Sequence, residues 1–115
     1  MTTRSPLDLM QGTLDVLILQ TLTWGPTHGY GISEWIRDRT GGVLAVQDAA
    51  LYKALRRLEQ QGRVVAEWGL SENNRRARFY RLTPAGRRAL REESASWRAY
   101  AEAIARVLDS APREA

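Results

Sequence analysis

Apolar positions recur along this chain at two periods, and the elements change where the period changes. Leu7, Met10, Leu14, Leu17, Ile18 and the Thr21-Leu22 pair fall three and four residues apart, the spacing of one helix face. Ser5 before Pro6 offers a capping hydroxyl and a proline suited to the first helical position. Trp24-Gly25-Pro26 stops the run. A second helix is predicted from Thr27-His28-Gly29-Tyr30-Gly31, with Ile32, Trp35 and Ile36 on one face, ending before Gly41-Gly42. Val43, Leu44 and Val46 read as a short extended piece. A third helix follows, with Asp48 as its N-cap. Leu51, Ala54, Leu55 and Leu58 form its buried stripe, while Ala49, Tyr52, Lys53, Arg56 and Arg57 mark its opposite side. Gly62 caps it.

Beyond Gly62 the pattern shifts to that of strands. Segments 63–70 (RVVAEWGL) and 76–83 (RARFYRLT) are rich in Val, Trp, Phe and Tyr and flank the polar turn SENNR, the signature of a hairpin. Asparagine tolerates the left-handed backbone that such turns need. Thr83-Pro84 then repeats the cap-and-proline device and opens a last helix of about 25 residues, roughly 37 Å long. Leu90, Ser94, Trp97, Ala101, Ile104 and Leu108 alternate at four- and three-residue spacing along it, a heptad-like seam. The reading is a mostly α chain with a small β-hairpin. Residues 5–83 form one domain, 84–108 a C-terminal helix, and 109–115 a disordered tail.

Charge sharpens this picture. The net charge is only +4 over 115 residues, but 53–91 holds eleven basic residues against three acids, a local balance of +8. Such asymmetry suits a polyanionic partner. The chain has no cysteine, which removes disulfides, thiol catalysis and thiolate metal sites. His28 is the sole histidine; with no second ligand or nucleophile beside it, its expected role is to help open the second helix. No catalytic site, metal site or cofactor is expected. The longest apolar run, Val16 to Leu19, falls far short of the ~18 residues that span a bilayer. No signal peptide is read at the N-terminus, so no membrane role and a cytoplasmic location are expected.

A short helix, a turn, an amphipathic helix with a basic outer side and then a basic hairpin make the layout of a winged helix-turn-helix. The third helix has the width to enter a major groove, and the hairpin is the wing. The residues also resemble a family. GTLDVLILQTL (12–22), HGYGI (28–32), ALYKALRRLEQQG (50–62) and SENNRRARFYRLTPAGRRAL (71–90) are similar to the PadR-like transcriptional regulators, over roughly Leu9 to Ile104. The resemblance implies a winged helix whose long C-terminal helix dimerises. It departs from the family's pattern at Ala49-Ala50, where a glycine followed by serine or threonine is usual, and at Lys53, where proline is usual.

These readings give definite expectations. Double-stranded DNA with a pseudo-palindromic operator is the partner of a homodimeric repressor. Its DNA contacts are Ala49, Ala50, Tyr52, Lys53, Arg56 and Arg57 on the third helix and Arg75, Arg76 and Arg78 on the wing. Strand alternation separates Arg76, Arg78 and Tyr80 from Phe79 and Arg81, so Arg81 is expected to pair with an acid. Tyr30 is expected in the core. Leu90, Trp97, Ala101, Ile104 and Leu108 form the dimer interface. The resemblance further implies that Trp97 faces its symmetry mate across a flat apolar pore, walled by Leu9, Gly12, Thr13 and Val16. A planar aromatic effector bound there would release the DNA, and Ala101, where a drug-binding relative has an acid, disfavours cationic ligands. A rival reading is a basic architectural or RNA-binding module without operator preference. No residue pattern favours an enzyme.

Overall fold

The computed structural model describes residues 6–113, with side chains from residue 12 onward. The Ser5 cap and the side chains of Leu7, Leu9 and Met10 lie outside the described residues. In chain order the elements are α1 (Pro6–Thr21), a 3-10 turn (Leu22–Trp24), β1 (Thr27–His28), α2 (Gly29–Arg39), α3 (Asp48–Gln60), β2 (Val64–Leu70), β3 (Arg76–Leu82) and α4 (Pro84–Leu108). The helices fall where the apolar periods predict them.

Three local expectations need correction. Val43, Leu44 and Val46 form no strand; Val43 is 81% and Leu44 42% exposed. The sheet instead gains Thr27–His28, which pairs antiparallel with β3, giving the order β1-β3-β2. Two residues are too few to display a period of two. The N-cap of α3 is Gln47, with Asp48 inside the first turn, where its charge suits the helix dipole. Elsewhere the capping chemistry is as read. His28 Nδ1 accepts from the Gly31 amide at 3.0 Å, and Thr83 Oγ1 accepts from Gly86 at 3.0 Å. Gly62, at φ 71°, closes α3 with its own amide on Glu59 O and that of Arg63 on Leu58 O, the pairing of a Schellman motif.

One core joins all the elements. Ile18, Leu19 and Leu22 meet Ile32 and Ile36 of α2, the full stripe Leu51, Ala54, Leu55 and Leu58 of α3, Val64, Tyr80 and Leu82 of the sheet, and Ala89 of α4. Each fully buried Leu or Ile contributes about 1.5–3 kcal/mol, so this stripe fixes which side of α3 faces outward. The start of α4 is stapled beneath the end of α3. Thr83 Oγ1 donates to Gly62 O at 2.6 Å, and a side chain at Gly86 would run into the Arg63 carbonyl. From Trp97 onward α4 leaves the body of the molecule, whose longest dimension is 65 Å.

Candidate nucleic-acid interface

With its apolar stripe buried, α3 turns Ala49, Ala50, Tyr52, Lys53 and Arg56 outward, all of them exposed. Tyr52 is held by α2. A Cβ on Gly29 would meet the Tyr52 hydroxyl at 2.7 Å and its ring at 2.9 Å, so glycine there lets the ring lie flat against the helix start.

Arg57 corrects the expectation. It is not on the outer surface but turned onto α1, where Nη2 donates to Asp15 Oδ1 at 2.6 Å and Nε to Oδ2 at 3.4 Å. The two side chains keep 27% and 12% of their surface. Burial pushes the Asp15 carboxyl above its usual value, against the lowering effect of the Arg57 hydrogen bond and charge. Residue 57 borders Leu58 on the helix wheel, and a carboxylate within reach decides its direction.

The hairpin supplies the second half of the interface. Ala66 pairs with Tyr80, Trp68 with Arg78 and Leu70 with Arg76, so these six share one sheet face. The Arg76 guanidinium lies 4.7 Å over the Trp68 ring, and that of Arg78 lies 6.0 Å from the Tyr80 ring. Arg78 Nη2 also donates to Glu59 Oε2 at 3.1 Å, tying the wing to α3. On the opposite face Arg81 pairs with Glu67 at 3.1 Å, the acid partner that strand alternation required. Phe79 meets His28 edge-on at 5.3 Å. Asn74, at φ 59°, and the Ser71–Arg75 amide-carbonyl bond of 2.8 Å close the turn, leaving Arg75 exposed at the tip.

Between the two halves lies an open cleft of about 510 Å³. Its walls are His28, Gly29 and Tyr30 at the start of α2, Tyr52, Arg56 and Glu59 of α3, and Trp68, Arg76, Ala77, Arg78 and Tyr80 of the hairpin. Three of the expected cations therefore meet on one surface, with Lys53 and Arg75 exposed beyond it. Tyr30 lines this cleft at 66% exposure instead of entering the core. Burial raises the Tyr80 phenol from its ordinary value near 10, so it stays neutral. Glu59 and Trp68 escape the sequence reading, although Tyr52, Arg56 and Glu59 stand at i, i+4 and i+7 on one helix stripe. Among the described residues, no group of three His, Cys, Asp or Glu side chains could hold a metal ion, and no helix is long and apolar enough to cross a membrane.

Away from the cleft, α4 carries Trp97, Tyr100, Ile104, Val107 and Leu108 at 41–76% exposure, with Ala101 half-buried among them. Tyr100 and Val107 broaden the seam beyond its expected positions. Leu90 is the exception, since it packs against the core of its own chain. Trp97 Nε1 donates to Thr13 Oγ1 of α1 at 3.2 Å, which brings together two of the residues expected around the pore. Gly12 and Val16 are half-buried on the same helix; the Leu9 side chain lies outside the described residues.

Comparison with known proteins gives consistent results. The sequence profile of the transcriptional regulator PadR-like family matches residues 18–92. A transcriptional regulator from Clostridium thermocellum superimposes with a TM-score of 0.77 at 31% identity, covering 86% of this chain and 96% of that one. A PadR family transcriptional regulator from Eggerthella lenta gives 0.73 at 31% identity, covering 91% and 89%. An uncharacterized protein from Lysinibacillus sphaericus is 31% identical over 97 residues, 84% of this chain and 89% of its own length.

Proposed function

Because the chain belongs to the PadR-like family of transcriptional regulators, we propose that it is a cytoplasmic, homodimeric repressor that reads a pseudo-palindromic DNA operator. Each protomer lays the exposed side of α3 in a major groove and its hairpin on the flanking backbone. Ala49, Ala50 and Tyr52 lie nearest the groove floor, and Lys53, Arg56, Arg75, Arg76 and Arg78 take phosphates. The observation that carries this reading is the convergence of Arg56, Arg76 and Arg78 on one cleft between helix and hairpin, because phosphate neutralisation supplies most of the affinity for DNA. The rows of Trp97, Tyr100, Ala101, Ile104, Val107 and Leu108 join two protomers through α4, which places the half-sites about one turn, 34–36 Å, apart. A planar aromatic molecule between the two Trp97 rings, bounded by Gly12, Thr13 and Val16, releases the DNA; the Trp97–Thr13 contact supports that site.

Titration of duplex DNA against salt tests the proposal. With about four phosphate contacts per protomer, log K against log salt should fall with a slope near −7, and the selected site should be preferred to random duplex by ~10³ or more. A slope of −2 or shallower would refute the footprint, and a steep slope without site preference would make the protein a general nucleic-acid binder.

A further inference from the structure

Among the described residues, Glu59 is the carboxylate in a cleft that otherwise presents Arg56, Arg76 and Arg78. Like charge beside a DNA backbone weakens binding, so its presence asks for a reason. Stability is a poor one. Arg78 and Glu59 keep 43% and 35% of their side-chain surface, and ion pairs so exposed add little to a fold. Geometry offers a better one. Glu59 stands on α3, whose orientation the core fixes, while Arg78 stands on a hairpin that ends in an exposed turn. The 3.1 Å bond between them sets where the wing lies relative to the reading helix. It engages Nη2, and a guanidinium has five N–H donors, so others can still meet a phosphate.

Resting on the DNA-binding reading above, we infer that Glu59 is a positioning residue that sets operator specificity by holding Arg78 and opposing phosphates that arrive out of register. Random-sequence binding is almost entirely electrostatic, so a carboxylate in the cleft lowers it directly. Operator binding also needs helix and wing in register with bases and backbone together, and there the loss is offset by a wing already in place. Glu59 therefore separates two affinities that the arginines alone would raise together.

Glu59→Gln and Glu59→Asp test this. The probes are the best duplex selected by wild-type protein from a randomised pool and the unselected pool itself. Glu59→Gln should bind the unselected pool about eightfold more tightly at 0.1 M salt, with a slope steeper by about 0.9, the gain of one phosphate contact. Its affinity for the selected duplex should stay level or fall. Glu59→Asp keeps the charge on a shorter arm, so pool binding should match wild type while selected-duplex binding weakens. Equal gains of Glu59→Gln on both probes, or no change on either, would overturn the inference and leave the DNA reading intact. A wild-type protein whose duplex binding ignores salt would overturn both. Circular dichroism that matches wild type ensures that the comparison is between folded proteins.

Discussion

Arg57→Met separates a charge that builds the fold from the charges that meet DNA. In the wild type the Arg57 guanidinium forks onto Asp15, one oxygen at 2.6 Å and the other at 3.4 Å. Methionine keeps an apolar stem but leaves Asp15, at 12% side-chain exposure, without its counter-charge. Removing one partner of a buried pair costs about 3–5 kcal/mol, and the 27% exposure of Arg57 argues for the lower end, about 3 kcal/mol. With an unfolding entropy of about 2.1 cal/mol/K per residue, that lowers the melting temperature by roughly 12 °C. The pH dependence has a definite sign. Burial already raises the Asp15 carboxyl above its ordinary 3.8, so the folded state holds the proton more tightly than the unfolded state. Stability from this group is fully present below the unfolded value and is lost as pH rises through the folded one. Loss of Arg57 removes influences that lower the folded value, so the variant's deficit should be largest at pH 7.5 and smaller at pH 4.5. Urea unfolding at fixed protein concentration at both pH values measures this, and adding Asp15→Asn should restore most of the loss. The salt slope of DNA binding should not change. A slope shallower by about one with wild-type stability would refute the reasoning and return Arg57 to the DNA face.

Other substitutions probe the remaining parts. Trp97→Asp should yield monomers by analytical sedimentation, because it puts a charge on the exposed apolar row of α4; a variant that stays fully dimeric would locate the interface elsewhere. Arg75→Ala with Arg76→Ala should weaken binding to every duplex about equally, as phosphate contacts do, and a change confined to sequence preference would refute the wing's role on the backbone. Gly29→Ala should retain the fold by circular dichroism but displace the Tyr52 ring that leaves no room for a Cβ, lowering operator affinity about tenfold or more, the scale of a lost positioned contact. Gly86→Ala should cost about 3 kcal/mol or more in urea unfolding, as overpacking does at its upper range, because the new methyl meets the Arg63 backbone carbonyl; wild-type stability would show that α4 can shift at no cost.

What was legible in the sequence follows from how far apart the deciding atoms lie. The stripe of Leu51, Ala54, Leu55 and Leu58 announces its own helix and its own buried side, because period and burial are local properties; all four are in the core. Alternation on β3 likewise separates Arg76 and Arg78 from Arg81, and Arg81 meets its acid in Glu67. Arg57 follows another rule. Its neighbours in sequence match those of Arg56, and what turns it inward is Asp15, 42 residues away. Tyr30 shows the same effect in reverse. An aromatic ring beside Ile32 reads as core until β1 and the hairpin place a cleft at the start of α2. β1 itself has two residues and exists through its partner β3.

The seam on α4 shows where a periodic rule is too narrow. A strict heptad selects Leu90, Trp97, Ala101, Ile104 and Leu108, as though the whole helix faced one partner. The first turns of α4 instead face the chain's own core, which takes Ala89 and Leu90. The later turns carry a wider row that adds Tyr100 and Val107. One helix thus serves two surfaces in succession, and the change comes where Trp97 bonds to Thr13 of α1. A rotation of α4 about that point would move α1, and α1 holds Arg57 of the reading helix through Asp15, two residues from Thr13. Asp15 is therefore the residue through which strain at the Trp97 seam would first reach α3, so Asp15→Asn should weaken any coupling between an aromatic ligand at Trp97 and DNA affinity. Ligand titrations with and without the selected duplex measure that coupling. The same ligand-induced change in affinity in wild type and variant would show that the signal takes another route.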